Sequence, residues 1–544
     1  MMRLNKLVFT CFVILLIVLV GCNKQKENKL VRTSEYIEPY AIITSDQYKT
    51  HLVDKYGIPY IMLSTEIRTD ILMFADGLTP EEMEPYFALV KHTDLNTIEL
   101  PIIWSDIEIS QDQYRFDTIK TYLDLAKKYD LKVNLLWYGS LVDGETRTAL
   151  IPQYIREDEK TYPIIQDLYD FGIFGRVKIY DWTNDNLLYR EGLALYNVMN
   201  YVYEWNKNND NYDPVVMVQI GQGADRFPRW RVNQYEVKDE DGLLLANEEA
   251  WNIVNTYLNE VAKGVKYAKY RALTRVEFTE QNAVVNYVRT IYQLDNIDIV
   301  APTYLHSIAN VKSGIRNFSD EFNDIPIIIP ENWANDHNHR SLLATFALGG
   351  VGYVAYPLSW AVYYPEPVNG ALYNRINING NNLEEQFTQK GTRANDTKAI
   401  TQGLTKAYID VAKTKRGNFA VIGMDNRINV GDPQKIYTQS GVMFSYQSSE
   451  QSLGFVLVND GYVYVYSTAN GVITFSNVTF ITATKGYYDK QGNWINEGSV
   501  SFIENNLGLE IEKETLYRIK IYTVNPLPTT IPTDYVNTVD SIRE

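Results

Sequence analysis

The stretch that decides the fold is "TPEEMEPYFALVKHTDLNTIELPIIW", residues 79–104. Thr79 before Pro80 is an N-cap followed by proline at the first helical position, where its missing N–H would have had no partner anyway. The residues that follow read as an amphipathic helix, and "NTIELPIIW" (96–104) reads as a strand. That strand is almost continuously apolar, the pattern expected where both faces are buried in parallel β-structure.

The same alternation extends in both directions. Upstream lies "YIMLST" (60–65); downstream come a helix over 119–129, "KVNLLWYG" (132–139), a longer insertion, the helix "REGLALYNVMNYVYEWNK" and "PVVMVQI" (214–220). A helix from Asn247 to Lys266 is followed by a strand near "ALTRVEF" (272–278), then "IDIVAPTY" (297–304), "IPIIIPE" (325–331) and "GGVGYVAYP" (349–357). Eight strand–helix units over about 300 residues predict a (β/α)₈ TIM barrel, an α/β fold whose chemistry sits at the C-terminal strand ends.

After about Arg416 the character changes. "NFAVIGM", "GVMFSYQ", "SLGFVLVN", "YVYVYS", "GVITFS", "FITATKGYYD" and "LYRIKIYTV" are short, β-rich and separated by Gly, Asn, Asp and Ser. They predict a β-sandwich domain over 417–526, behind a barrel domain over 41–416. The Pro/Thr-rich tail, 527–544, is expected to be only partly ordered.

The first residues, "MMRLNKLVFTCFVILLIVLVGCNKQKENK", combine a basic start (Arg3, Lys6) with an apolar run from Leu7 to Val20. A membrane span needs about 20 apolar residues, so this shorter run reads as a signal peptide over 1–21. Leu19-Val20-Gly21-Cys22 resembles a bacterial lipobox, which makes Cys22 the lipidated first residue of the mature chain and 22–40 a tether. The expected location is the bacterial cell envelope, with the membrane as a partner through that lipid.

Cys11 and Cys22 are the two cysteines, so the mature body holds neither disulfide nor cysteine nucleophile. Against 51 Lys+Arg stand 67 Asp+Glu, a formal charge of −16, without a basic cluster; nucleic acid is therefore not an expected partner. A neutral oligosaccharide or polysaccharide fits better. The 42 tyrosines and nine tryptophans agree, since flat amphipathic rings suit sugar faces, although many must serve the core.

The predicted strand ends carry Glu66, Trp104 and Glu108, Trp137 and Tyr138, and Glu331 and Trp333. Acidic and aromatic side chains on one rim suit sugar chemistry, because carboxylates bind hydroxyls bidentately and indoles stack on pyranose faces. Gln222, Tyr304 and Trp360, near the fourth, sixth and eighth strand ends, complete the expected sugar-binding set. A carboxylate directly after "PIIIP" is costly unless paired or functional, which singles out Glu331. His337 and His339 lack a clear third ligand and read as a solvated loop. "NKNNDNYDP" (206–214) lacks the spacing of a calcium loop and reads as a turn. No metal or organic cofactor is implied.

"LSTEIR", "DLNTIELPIIWSDIEISQDQYRFD", "DLKVNLLWYGS", "ALIPQYIREDEKTYP" and "IPIIIPENW", in that order, resemble the retaining (β/α)₈ glycoside hydrolases of the β-galactosidase type (families 35 and 42, clan A). The later "GYYDKQGNWINEG" also looks like a β-domain found behind such barrels. The resemblance implies a retaining mechanism on β-linked, β-galactoside-type glycans, with Glu331 as nucleophile and Glu66 and Trp137 in the glycone pocket. Its fourth strand ends in a Met-Val-Gln-Val-Glu-Asn-Glu pattern whose last Glu is the acid/base. Here the stretch is Met217-Val218-Gln219-Ile220-Gly221-Gln222-Gly223. Gly221-x-Gly223 is no dinucleotide motif either, because Arg226 occupies the third glycine position.

Glycine cannot donate a proton through a side chain. Three readings therefore stand open: Asp225 or Glu280 substitutes as the acid; the barrel is a non-catalytic glycan binder; or it is an inherited scaffold for protein interactions.

Overall fold

The computed structural model describes residues 29–141, 150–170, 176–221, 248–279, 285–303, 308–322, 325–360, 370–377, 379–423, 431–503, 508–523 and 531–542. The eight expected barrel strands are β1 (Met62–Glu66), β2 (Thr97–Ile102), β3 (Lys132–Trp137), β4 (Val215–Ile220), β5 (Leu273–Thr279), β6 (Ile299–Thr303), β7 (Ile327–Trp333) and β8 (Gly350–Tyr356). They form one parallel sheet in the order β6-β5-β4-β3-β2-β1-β8-β7. β6 and β7 lie side by side and bring the ring round. This is the TIM barrel that the apolar strands predicted; β2, β4 and β8 are buried at every position.

The main outer helices are α1 (Glu84–His92), α2 (Asp117–Lys128), α3 (Asp185–Lys207), α4 (Glu248–Lys266), α5 (Val285–Tyr292), α6 (Ile308–Glu321), α7 (Asn338–Ala347) and α8 (Arg393–Lys406). The start of the first helical unit shows how local sequence sets an element. The Glu82 carboxylate reaches back to the Thr79 N–H at 2.8 Å, half of a capping box, and a short 3₁₀ turn over Glu81–Met83 leads into α1. α1 then buries Tyr86, Phe87, Leu89 and Val90.

The barrel interior is built in two layers. Its lower part is apolar, with Met62, Met217, Ile299 and Ile328 in one cluster. A three-stranded antiparallel sheet (Tyr40–Ile43, His51–Asp54, Pro59–Tyr60) adds Tyr40 and Leu52 to that cluster. The upper part is polar. Arg275 of β5 grips Glu99 of β2 with two bonds, at 2.6 and 2.8 Å, and donates to Gln219 of β4. Gln219 passes a 3.0 Å bond to Glu277, which also accepts from Thr303 of β6. Asn134 of β3 donates to Glu99. Every one of these side chains is almost completely buried, so the network ties five strands together beneath the barrel mouth.

Behind the barrel, two sheets of six and five strands pack as a β-sandwich around their own core. The TIM barrel plus β-sandwich architecture is therefore as expected. Two terminal segments are more structured than their composition suggests. Thr33 and Ile37 hydrogen-bond to the turn after α4, and Val536–Asn537 adds in parallel to the strand Gln434–Tyr437. Ser541 then accepts the Val421 N–H. In both places backbone pairing supplies an order that a polar segment and a Pro/Thr-rich tail do not advertise.

Candidate active site

Glu66 ends β1, one step above the polar network, and is 5% exposed. Arg68, two residues on, holds the Asp70 carboxylate with bonds of 3.0 and 2.7 Å, donates to the Tyr356 hydroxyl at 2.8 Å, and lies 3.3 Å from Glu66. The Tyr138 hydroxyl reaches Glu66 from the end of β3 at 3.5 Å. Burial lifts the Glu66 carboxyl well above the ordinary range; Arg68 opposes this, and the carboxylates of Glu331, Glu99 and Asp70 add to it.

Glu331 lies near the end of β7, after four fully buried residues, and is itself half-buried. Its neighbour Asn332 donates to Tyr353, whose hydroxyl donates to the Asn338 side chain at the start of α7. The ladder between β7 and β8 is irregular from Ile329 to Asn332, and with Asn332 turned to the helix layer the Glu331 charge acts on Glu66 and Tyr356 at the barrel mouth. Burial raises the Tyr356 hydroxyl; the Glu331 and Glu66 charges raise it further, which puts all three groups in one electrostatic cluster. Trp360 meets Tyr356 edge-on, with ring centroids 6.4 Å apart. Trp333, at the end of β7, is half-buried. The backbone just past it is held by Arg393 of α8, which donates to the carbonyls of Ala334 and Ala371 and to the Asp336 carboxylate.

The structure thus brings Glu66, Tyr138, Glu331 and Trp360 together around Arg68 and Tyr356. Trp104 is placed differently. It is 1% exposed, its indole N–H bonds Glu108 at 2.9 Å, and Glu108 pairs with Arg190 of α3. Trp104 backs Trp137, with ring centroids 6.3 Å apart. Trp137 is also 1% exposed, and its indole N–H donates to Glu191 of α3. Gly139 makes that approach possible. It has φ +53°, and a Cβ there would overlap the Glu191 carboxylate.

Glu191 was not singled out by sequence, because it sits mid-helix in a run that looks merely amphipathic. It accepts from Trp137, Tyr257 and Ser140, yet burial lifts its carboxyl from 4.5 to about 6. The folded chain therefore binds this proton more tightly than the unfolded chain does. The site's contribution to stability is full below about pH 4.5 and is lost as pH rises through about 6. Glu191→Gln is expected to remove that dependence. The wild-type-minus-variant difference in unfolding free energy should change by about 2 kcal/mol between pH 4.5 and pH 7. Urea titrations at the two pH values check it, and an unchanged difference refutes it.

At the end of β4, Gly221 donates its N–H to the Trp137 carbonyl at 2.8 Å and has φ +70°. That left-handed conformation strains any residue with a Cβ, so the missing glutamate at 221 is built into the backbone path as well as the side chain. Gln222, Gly223, Asp225, Glu280, Tyr304 and Cys22 lie outside the described residues. His337 precedes α7 and His339 lies in its first turn with Nδ1 buried, not in a solvated loop, and among the described residues no group of three His, Cys, Asp or Glu side chains could hold a metal ion.

A model for a domain of unknown function (DUF4978) matches residues 253–429, from α4 to the start of the sandwich. No curated protein matches the chain. In shape the chain is similar to three solved glycosidases. An exo-β-1,4-mannosidase from Opitutaceae bacterium strain TAV5 aligns at 11% identity and a TM-score of 0.46, over 66% of this chain and 63% of that one. A β-galactosidase from Rahnella sp. R3 aligns at 11% identity and 0.44, over 69% and 59%. The third, a β-galactosidase from Marinomonas ef1, aligns at 9% and 0.43, over 64% and 60%. The chain thus spans about three fifths of each of these structures.

Proposed function

We propose that this protein handles β-linked glycans of the β-galactoside type in the barrel mouth, with Glu331 as the nucleophile of a retaining glycosidase. We also propose that it is held at the cell envelope by lipid on Cys22, a reading that rests on the sequence Leu19–Cys22. The observation that carries the catalytic reading is Glu331 itself. It is a half-buried carboxylate at the end of an otherwise buried strand, facing the mouth beside Glu66 and Tyr356. Glu66 and Tyr138, both buried and bonded to each other, form the floor of the proposed pocket, Trp360 packs against Tyr356 beside them, and the half-buried Trp333 offers aromatic surface at the end of β7.

In the proposed step a Glu331 oxygen bonds to the anomeric carbon as the bond to the leaving oxygen breaks. Water then hydrolyses the glycosyl–enzyme ester. An acid/base group is typically worth about 10²–10⁴-fold. With glycine at 223, the leaving group must depart without that help unless another acid such as Asp225 or Glu280 reaches it. The left-handed backbone at Gly221 favours a second reading, a glycan binder on a glycosidase fold.

The full-length protein in detergent, given aryl β-galactosides of graded leaving-group pKa, separates these readings. A nucleophile without its acid gives rates that fall steeply as leaving-group pKa rises, little turnover of lactose, and acceleration by azide with β-galactosyl azide as product. Azide attacks the glycosyl–enzyme without needing a base. A shallow dependence with lactose turnover means a side-chain acid is present. Binding by calorimetry without turnover supports the binder, and neither binding nor turnover overturns the proposal.

A further inference from the structure

Beside the barrel mouth, where the loop into α7 meets the sandwich, lies a cleft of about 330 Å³ with a mixed polar and apolar lining. Its walls come from three parts of the chain. Asp336, His339 and Arg340 belong to that loop and the first turn of α7, Asp396 to α8, and Gln451 and Thr468 to the sandwich. Residues such as Ile400 and Leu453 help make the lining nearly as apolar as it is polar. Pockets for small ligands start at about 300 Å³, so this cleft has the volume of a binding site.

The chemistry of the lining narrows the ligand. Asp336 is already neutralised by Arg393 at 2.7 Å, which leaves Arg340 and Asp396 as one charge of each sign. An anion would face the carboxylates, and a cation finds no set of three ligands among the described residues. The Nδ1 atom of His339 is buried with no hydrogen-bond partner. Burial depresses that imidazole to about 4, so it stays neutral at physiological pH, able to donate from one nitrogen and accept at the other. Neutral donors and acceptors beside a comparable apolar surface match a polyhydroxylated, uncharged molecule with an apolar face, as a pyranose ring has.

The cleft also adjoins the proposed catalytic site along the chain. Asp336 is three residues past Trp333, a span of about 11 Å at most. The segment between them is pinned by Arg393 and turned back by the Asn335 N–H to Trp333 carbonyl bond. We infer that this cleft is a second saccharide subsite, which receives the distal part of a neutral glycan chain whose other end occupies the barrel mouth. The inference rests on the carbohydrate reading of the mouth and adds a preference for long substrates over short ones.

The test uses the full-length protein in detergent, with β-1,4-galacto-oligosaccharides of two and six units as probes. Calorimetry should show the hexasaccharide binding about tenfold more tightly than the disaccharide. Ala399→Trp, which places a bulky ring in the cleft from α8, should remove that gain and leave disaccharide affinity unchanged. Equal affinities for the two probes, or a gain that survives Ala399→Trp, overturns the inference.

Imidazole NMR gives a second readout that needs no substituted cleft. The chain has five histidines, and His339 is assignable by loss of its signal in His339→Gln. The hexasaccharide, but not the disaccharide, should shift the His339 signal, while tryptophan fluorescence reports the mouth. A fluorescence change without a His339 shift overturns the subsite and keeps the mouth. A His339 shift alone keeps the subsite and overturns the mouth. No change in either overturns both.

Discussion

Glu331→Gln is expected to lower turnover of an activated aryl β-galactoside by roughly 10⁴-fold, the scale on which a catalytic group is lost in other enzymes. Glutamine keeps the size and one oxygen of the side chain, but an amide cannot form the ester that a retaining displacement requires. The change should leave the fold intact, because Glu331 is half-buried at the mouth and the strand is held through its neighbour Asn332.

The same substitution has a second signature. Burial is the largest cause of the raised Glu66 carboxyl, and the Glu331 charge adds to it; removing that charge should bring Glu66 down while leaving it above the ordinary range. Carboxyl carbon NMR of Glu66 across pH measures this. Initial rates within tenfold of wild type would remove Glu331 as nucleophile. An unmoved Glu66 titration would separate the two carboxylates in space.

Arg275→Met is expected to cost the barrel about 3–5 kcal/mol, because Glu99 is left as a buried charge without its partner. Few domains have more than about 5–15 kcal/mol in total, so this variant should be recovered in low yield or with an early unfolding transition. Gln219 loses its Arg275 bonds as well, and the chain of contacts to Glu277 and Thr303 loosens with it. Arg275→Met with Glu99→Leu should recover most of the loss, since replacing a buried pair by apolar residues is often neutral. Denaturant unfolding followed at the barrel's own transition measures both. A single variant within about 1 kcal/mol of wild type would show that the pair is not what holds the upper barrel together.

The eight strands were legible because each is buried on both faces and so reads as an apolar run, even where it is short or contains a charge. "ALTRVEF" is the instructive case. Arg275 and Glu277 blur its pattern in sequence, and the structure explains why a central strand tolerates them: both turn into the barrel and find partners on β2, β4 and β6. Glu66 and Glu331 were legible as candidates because a carboxylate at the end of an apolar run needs a reason.

Other features were not legible. Trp104 and Trp137 sit at strand ends just as rim aromatics would, yet the Trp137 N–H is committed to Glu191 of α3, far away in sequence, and the Trp104 N–H to nearby Glu108, which is itself held by Arg190 of α3. Arg68, Tyr356, Glu191 and Arg393 carry no local pattern that marks them; each matters through a partner brought from another strand or helix.

Sequence alone thus determined the barrel, the sandwich behind it and the strand end that bears Glu331, because burial of strand faces imposes a local periodicity that can be read without coordinates. Only the tertiary structure decided which carboxylates share one electrostatic environment, which tryptophans support the mouth from behind, and that a cleft of mixed polar and apolar lining adjoins the mouth. Those are properties of side chains that meet across long sequence separations. Their burial and their pKa values are set by neighbours that no local stretch of sequence names.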